Sequence, residues 1–405
     1  MGGVFVGAVG CALPPNELGN LEAQEIGARS DIPLEHRAFD AELVEACGEG
    51  RLARDRFTRT PYLQQVRSDG AQLLWASATD GPQQVEITLP DGDVVERVTA
   101  ELDPSGAALE GAQHRAVLDG LEPDTVYCYT VDSDGTDGRI GFRTAPAAGQ
   151  GTHLSFLAFG DSGREGVDQE AVFDQMRSLP ADLVLVAGDL AYGKGTLAEL
   201  EATFFQPYAT MLRSLPVQPV LGNHDYGTDG GGPYRAVFSL PENGGAAARE
   251  GWWSFDRGPV HVVGLDSGGD LQVQAEWLEQ DLGDNGLPWV VAMLHAPPYS
   301  SGAHGSNMGL RAAFGPIFDA HGVQLVISGH EHDYERTKPI HGTTYIVTGG
   351  GGVGTRPVGT SSFTAFSTAV AHFLFVSVDG DDMRVYAVDA TGQEFDFTHI
   401  VHDQA

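Results

Sequence analysis

The stretch Leu154-Ser-Phe-Leu-Ala-Phe-Gly-Asp-Ser-Gly163 opens on a short apolar run and closes on an aspartate between small residues. A run this short and this apolar is what a strand buried on both faces of a parallel sheet requires. The pattern recurs down the chain. Leu183-Val-Leu-Val-Ala187 leads into Gly188-Asp189-Leu-Ala-Tyr192, and Pro219-Val-Leu-Gly222 into Asn223 and His224. Val290-Val-Ala-Met-Leu294 ends on His295, and Val323-Gln-Leu-Val-Ile327 precedes Gly329-His330-Glu331-His332. Helical spacing over 168–179, 197–212 and 271–282 separates the runs, so residues 152–402 read as an α/β domain. Tyr345-Ile-Val-Thr348, Phe373-Leu-Phe-Val-Ser-Val378 and Arg384-Val-Tyr-Ala-Val388 alternate like antiparallel strands finishing a sheet.

Upstream, residues 58–146 carry short alternating runs such as Ala71-Gln-Leu-Leu-Trp-Ala-Ser77 between Asp, Gly and Pro turns, an all-β texture. The segment Leu121-Glu-Pro-Asp-Thr-Val-Tyr-Cys-Tyr-Thr-Val131, with Trp75 before it, resembles a fibronectin type III domain. That resemblance makes Trp75 and Tyr127 core anchors of a β-sandwich. The fold class is therefore multidomain, β followed by α/β.

The chain has 405 residues, 41% hydrophobic and 20% charged, which suits two or three packed domains and excludes global disorder. With 23 Lys and Arg against 56 Asp and Glu, the formal charge is −33, so no nucleic-acid polymer is expected as a partner. A small anionic substrate stays compatible, because a buried metal sets its own local potential. Cys11, Cys47 and Cys128 are too few and too scattered for a disulfide framework or a zinc cluster. Residues 1–57 read as an N-terminal segment: a signal or lipoprotein remnant, then a polar linker. The apolar run 4–9 ending at Gly10 and Cys11 resembles the tail of a bacterial lipoprotein signal, without the Lys or Arg that normally precedes one. The expectation is export to a bacterial periplasm, cell surface or medium, with a lipidated Cys11 as one route to a membrane tether.

A lone aspartate after a strand is usually a cap or turn residue, and a lone histidine a surface or hydrogen-bonded core residue. Jointly these strand ends exceed that explanation, since caps require neither two histidines at i and i+2 nor an Asn-His-Asp triplet. Carboxylate, imidazole, amide and phenol donors favour divalent or trivalent first-row metals over thiolate-preferring ions. Seven such donors suit a pair of cations, with one carboxylate able to bridge, and such a pair clamps a phosphoryl group.

The blocks Gly160-Asp161-Ser-Gly163, Gly188-Asp189-Leu-Ala-Tyr192, Gly222-Asn223-His224-Asp225, His295-Ala-Pro-Pro-Tyr299 and Gly329-His330-Glu-His332-Asp-Tyr-Glu-Arg336 resemble, in order and spacing, the metal-binding blocks of the purple acid phosphatases. The resemblance implies a four-layer α/β/β/α calcineurin-like metallophosphoesterase domain. It implies that Asp161, Tyr192 and His332 hold Fe(III), that Asp189 bridges, and that Asn223, His295 and His330 hold a divalent Fe, Zn or Mn. The first block carries Asp161-Ser-Gly163 where the wider superfamily has Asp-x-His, and the Tyr192 phenolate takes the missing donor's place. His224 and His304 are the expected catalytic residues, and with Asn223 they meet the substrate. The implied activity is acid phosphatase: hydrolysis of small phosphate monoesters with metal-bound hydroxide as nucleophile and His304 as proton donor. A phosphodiesterase or a nucleotide or pyrophosphate hydrolase could use the same centre. A non-catalytic cell-envelope binding protein is the reading from another class, and the complete donor set argues against it.

Overall fold

A computed structural model describes residues 41–52, 56–131, 136–164, 166–245, 248 and 250–402; the signal and Cys11 readings lie outside them. Its N-terminal strands are β1 (Arg51–Leu52), β2 (Phe57–Gln64), β3 (Gly70–Ser77), β4 (Gln83–Thr88), β5 (Val94–Leu102), β6 (Ala112–Asp119), β7 (Val126–Val131), β8 (Thr136–Asp137) and β9 (Ile140–Arg143). β1 pairs with β8, and the others form an antiparallel array in the order β2-β3-β6-β5-β4-β7-β9. β5 pairs with β4 along most of its length and with β6 only at Glu101 and Leu102, so it carries the array from one layer to the next. Apolar side chains from both ends of the array meet in one core containing Leu73, Trp75, Val85, Ile87, Tyr129 and Phe142. Trp75 donates its indole N–H to Gln83 Oε1 at 2.7 Å, and the Tyr127 hydroxyl accepts from the Glu122 N–H at 2.9 Å, so both are the core anchors expected.

Two expectations upstream are corrected. The chain from Ala41 onward is not linker, because the helix Ala41–Cys47 buries Leu43 and Cys47. Cys47 is also disulfide-bonded to Cys128 of β7 with a Cα–Cα distance of 5.5 Å. An 81-residue separation left nothing in the spacing to mark this pair.

The second half contains two sheets. β10 (His153–Phe159), β11 (Leu183–Val186) and β12 (Val217–Pro219) run parallel in the first. β13 (Trp253–Arg257), β14 (Val260–Leu265), β15 (Trp289–Leu294), β16 (Leu325–Ser328), β17 (Tyr334–Thr337), β18 (Thr344–Thr348) and β19 (Thr364–Thr368) form the second, in the order β13-β14-β15-β16-β18-β17-β19. β20 (His372–Asp379), β21 (Asp382–Asp389) and β22 (Glu394–Val401) then complete the first, antiparallel, as β12-β11-β10-β20-β21-β22. The expectation for 345–348 holds on one side: β18 is antiparallel to β17, but it runs parallel to β16 and is buried along its whole length, the setting of an internal strand and not a finishing one. The sheets meet where the Gly160 N–H donates to the Thr348 carbonyl at 2.9 Å and Thr348 Oγ1 lies 3.1 Å from His372 Nε2.

Helices cover the sheets. Leu278 and Leu282 of Leu271–Asp284, and Leu310, Phe314 and Phe318 of Met308–His321, pack on Val263, Ala292 and Val326 of the second sheet. On the first, Phe173 of Val167–Met176 meets Tyr208 edge-on, and Tyr208 lies beside Phe159 of β10. The expected helix over 197–212 is interrupted by a π-turn at Glu201–Phe205. Pro207 has no N–H to give the Thr203 carbonyl, and Gln169 Nε2 donates to that carbonyl instead at 2.6 Å.

That π-turn aims Glu201 at the sandwich, where buried Arg59 donates to it at 2.5 Å while also donating to Gln113 and covering the Phe205 ring. Removing Arg59 alone strands a buried carboxylate, so Arg59→Leu should cost about 3–5 kcal/mol in urea unfolding, and Arg59→Leu with Glu201→Leu should recover most of it. A second buried pairing sits on β14. Burial alone would depress the His261 pKa, but Asp256 at 2.7 Å and Asp281 at 2.9 Å raise it to about 9. A raised histidine stabilises the fold fully below its unfolded pKa of roughly 6.5, and the contribution fades as pH rises through the folded value. His261→Gln should therefore lower stability by on the order of 3 kcal/mol at pH 6 and by far less at pH 10, read from urea unfolding at both.

Candidate metal centre

Parallel strands deliver side chains to one edge of a sheet, and here two sheets point such edges at each other. β10, β11 and β12 end just before Asp161, Asp189 and Asn223, while β15 and β16 end just before His295 and His330. Three of these residues sit in left-handed backbone: Asp161 at φ 58°, Asp189 at φ 54° and His330 at φ 72°. Non-glycine residues occupy that region at a cost, and it turns their side chains back into the space between the loops. Close approach of the loops needs a residue without a side chain at 222, where a Cβ would stand 2.1 Å from Asp189 Oδ1.

All nine residues singled out in the sequence converge on this place. Asp161 and Asp189 are 0% and 1% exposed, and their oxygens and a His295 nitrogen lie within 4.8 Å of one another. On one side, the Tyr192 hydroxyl donates to Asp161 Oδ1 at 2.7 Å and lies 3.1 Å from His332 Nε2. On the other, Asn223 Oδ1 lies 3.0 Å from His295 Nε2 and 2.8 Å from His330 Nδ1. Asp189 stands between them, 3.4 Å from His295 Nε2 through Oδ2 while Oδ1 accepts the His224 N–H at 2.8 Å. His295 Nδ1 faces the Ala187 carbonyl at 2.7 Å and His332 Nδ1 that of Gly354 at 3.1 Å, which turns both Nε2 atoms inward. His224 and His304 stand at the rim: the His224 ring is 4.4 Å from Tyr192, and the His304 ring 4.6 Å from His330.

The protonation pattern is that of a cation site. Burial raises Asp161 well above the usual carboxylate range, assisted by Asp189 and opposed by His295. Burial also works against ionised Asp189, but His295 outweighs it and lowers the pKa. His295 is lifted to about 10 by Asp189 against its own burial, while burial lowers His330 and His332 to about 4. Protons thus stand in for positive charge. The donors are hard oxygens and imidazole nitrogens, a set that fits first-row cations, and a cation displaces those protons. Asp161, Tyr192 and His332 would hold one ion, and Asn223, His295 and His330 the other. Asp189 is placed between them.

Two neighbours of the cluster carried no assigned role in the sequence. Asp225, buried and raised to about 7 chiefly by burial and by Asp189, accepts from the N–H groups of Gly222 at 2.9 Å, Asp189 at 2.9 Å and Leu190 at 3.1 Å. It therefore fixes the second and third loops together. Glu331 is the other, between two candidate ligands. The only signal for either was a carboxylate beside a donor motif.

Residues 154–334 match the family model of the calcineurin-like phosphoesterases. They are a calcineurin-like phosphoesterase domain. An uncharacterized protein of Mycobacterium tuberculosis is 30% identical over 332 residues, 69% of this chain and 62% of that one. The Fe(3+)-Zn(2+) purple acid phosphatase 12 of Arabidopsis thaliana is 28% identical over 261 residues, 59% of this chain and 55% of that one. The chain thus spans less than two thirds of the length of these relatives. The purple acid phosphatase from yellow lupin seeds is similar in structure, with a TM-score of 0.74 at 21% identity over 85% of this chain and 74% of that one. The calcineurin-like domain thus has the mixed, sheet-rich α/β fold of a purple acid phosphatase.

Asp225 touches no candidate metal position but orients the loops that carry three of the donors. Asp225→Ala should weaken retention of bound metal by about 10–100-fold, measured as metal per chain after dialysis against graded chelator, with little change in secondary structure by circular dichroism.

Proposed function

We propose that this protein is a metal-dependent acid phosphatase of the purple acid phosphatase type, hydrolysing small phosphate monoesters at an Fe(III) and divalent metal pair. The observation that carries the reading is the Tyr192 hydroxyl, held at 2.7 Å from Asp161 and 3.1 Å from His332 inside a cluster of carboxylates and imidazoles. Burial and the charges of Asp161 and Asp189 push its pKa far up, so only a strong adjacent cation makes it a phenolate. A phenolate is a hard anionic donor suited to ferric iron, and the plant relative named for an Fe(3+)-Zn(2+) centre supports that assignment.

When bound, the metal pair supplies Lewis acidity, drawing charge from the phosphoryl oxygens and making water a stronger nucleophile. The chain's own residues do the rest. Asn223 and His224 face the substrate phosphate from the third loop, and His304, half exposed at the rim, gives a proton to the departing oxygen. The N-terminal array is read as a fibronectin type III-like domain, on the Trp75 core and the Tyr127 corner. Export is supported by the Cys47–Cys128 disulfide, which belongs to oxidising compartments. Among the described residues no helix is long and apolar enough to cross a membrane.

Air-oxidised protein should show a broad visible absorption band with about two metals per chain, and Tyr192→Phe should abolish the band while keeping the folded state. Phosphate monoesters should be turned over at least about 10-fold faster than diesters of the same alcohol. Two metals without colour would assign the centre to zinc or manganese, and a metal-free inert protein would sink the reading.

A further inference from the structure

The carboxylate between the two histidines of Gly329-His330-Glu331-His332 is fully buried, yet among the described residues its side chain makes no hydrogen bond or ion pair to the metal-binding cluster. Glu331 reaches the loop that carries His304. Its Oε1 accepts the N–H of His304 at 2.5 Å and of Gly305 at 3.0 Å, and its Oε2 lies 3.3 Å from His304 Nδ1. Among the described residues no donor meets hydrogen-bond geometry with Oε2, and a buried carboxylate oxygen without one is costly, so the His304 imidazole facing it at 3.3 Å is the group that a small rotation would engage. Gly302 makes room for this dock, since a Cβ there would stand 2.7 Å from Oε2. Glu335 holds the base of the same loop, accepting from the N–H and hydroxyl of Ser301 at 2.5 and 2.7 Å. The loop is thus clamped from two positions, four residues apart, of one chain segment. His304 stays half exposed with its ring against His330.

We propose that Glu331 is the positioning residue for His304: by holding the loop backbone and Nδ1, it leaves Nε2 as the nitrogen that meets the leaving oxygen of a substrate phosphate. The proposal rests on the phosphatase reading above and deepens it toward substrate class. In the step concerned, the bond from phosphorus to the ester oxygen breaks as phosphorus takes up an oxygen from water. His304 enters the step as imidazolium with Nδ1–H toward Glu331; its Nε2 proton passes to the departing oxygen, which leaves as an alcohol, and the proton that water gives up restores the imidazolium. Esters of alkyl alcohols need that proton, whereas a nitrophenyl ester releases a stable anion without it. Glu331 therefore adapts the site to alkyl phosphate monoesters.

The test uses the full, metal-loaded chain with a simple alkyl phosphate and nitrophenyl phosphate as paired substrates. Glu331→Gln keeps Oε1 for the backbone but sets an amide N–H against Nδ1. It should lower kcat on the alkyl ester by about 30-fold or more, with KM within about 2-fold and kcat on the nitrophenyl ester within about 3-fold. Metal content should not change, and adding Glu331→Gln to His304→Ala should lower kcat no further, as for residues acting as one unit. Gly302→Ala, which crowds the carboxylate without removing it, should show the same split between esters. Equal losses on both esters, additive losses in the double variant, or loss of metal would overturn the proposal. Nitrogen NMR of the His304 ring decides independently of turnover: Nδ1 should carry a proton in the wild type and change its state in Glu331→Gln. An unchanged ring would overturn the proposal even in an active enzyme. A wild type inert on both esters would instead overturn the phosphatase reading, leaving the ring measurement to judge Glu331.

Discussion

Asp161 and Asp189 are both buried in one small cluster, and the rest of the site follows from that constraint. Two buried carboxylates cannot both ionise without positive charge beside them. Burial accordingly raises the Asp161 pKa well above the usual carboxylate range, and Asp189 raises that of His295. Every device around the pair makes the same space better suited to cations. The left-handed backbone turns the carboxylates inward, the carbonyls of Ala187 and Gly354 fix two histidine rings, and Asp225 ties the loops that bring Asp189 and Asn223 together.

Holding donors from two sheets in register requires that the sheets not slide. The β18–β20 contact near Thr348 and the hydrogen bond from His330 N–H to Asp161 Oδ2 at 2.7 Å do this from within. The N-terminal array adds support from outside. Gln64 donates to the Val217 carbonyl at 2.8 Å and accepts the Ser239 N–H at 3.1 Å, and Val217 opens the strand that ends before Asn223. Arg59, Gln64 and Tyr129, which donates to the Arg213 carbonyl at 2.8 Å, all bear on the segment between the second and third donor loops. The array is thus placed to brace the site without contributing a donor to it.

Much of this was legible in the sequence, for a physical reason. Apolar runs buried on both faces and polar residues at their ends are local patterns, so the strands before Asp161, Asp189, Asn223, His295 and His330 could be read without knowing their neighbours. What escaped depends on pairing across distance. β18 is antiparallel to β17 as its run suggested, but the run does not record that β16 lies parallel on its other side, which makes the strand internal. The Cys47–Cys128 bridge joins residues 81 apart and fastened a segment that composition had marked as linker. Asp225 and Glu331 were passed over because a carboxylate one residue from a ligand carries no sign of the backbone N–H groups it accepts.

The placement of Glu331 couples two requirements that most sites separate. Its neighbours on both sides, His330 and His332, point to opposite halves of the centre, so its own backbone is fixed by the metal donors. Its side chain, directed away from both, takes hold of the loop bearing His304. Any shift of His330 and His332 therefore moves the loop bearing His304 with them. The separation between the carboxylate and imidazole cluster and the His304 ring is thus set by one short stretch of chain. That arrangement suits a reaction in which bond breaking and proton delivery must coincide.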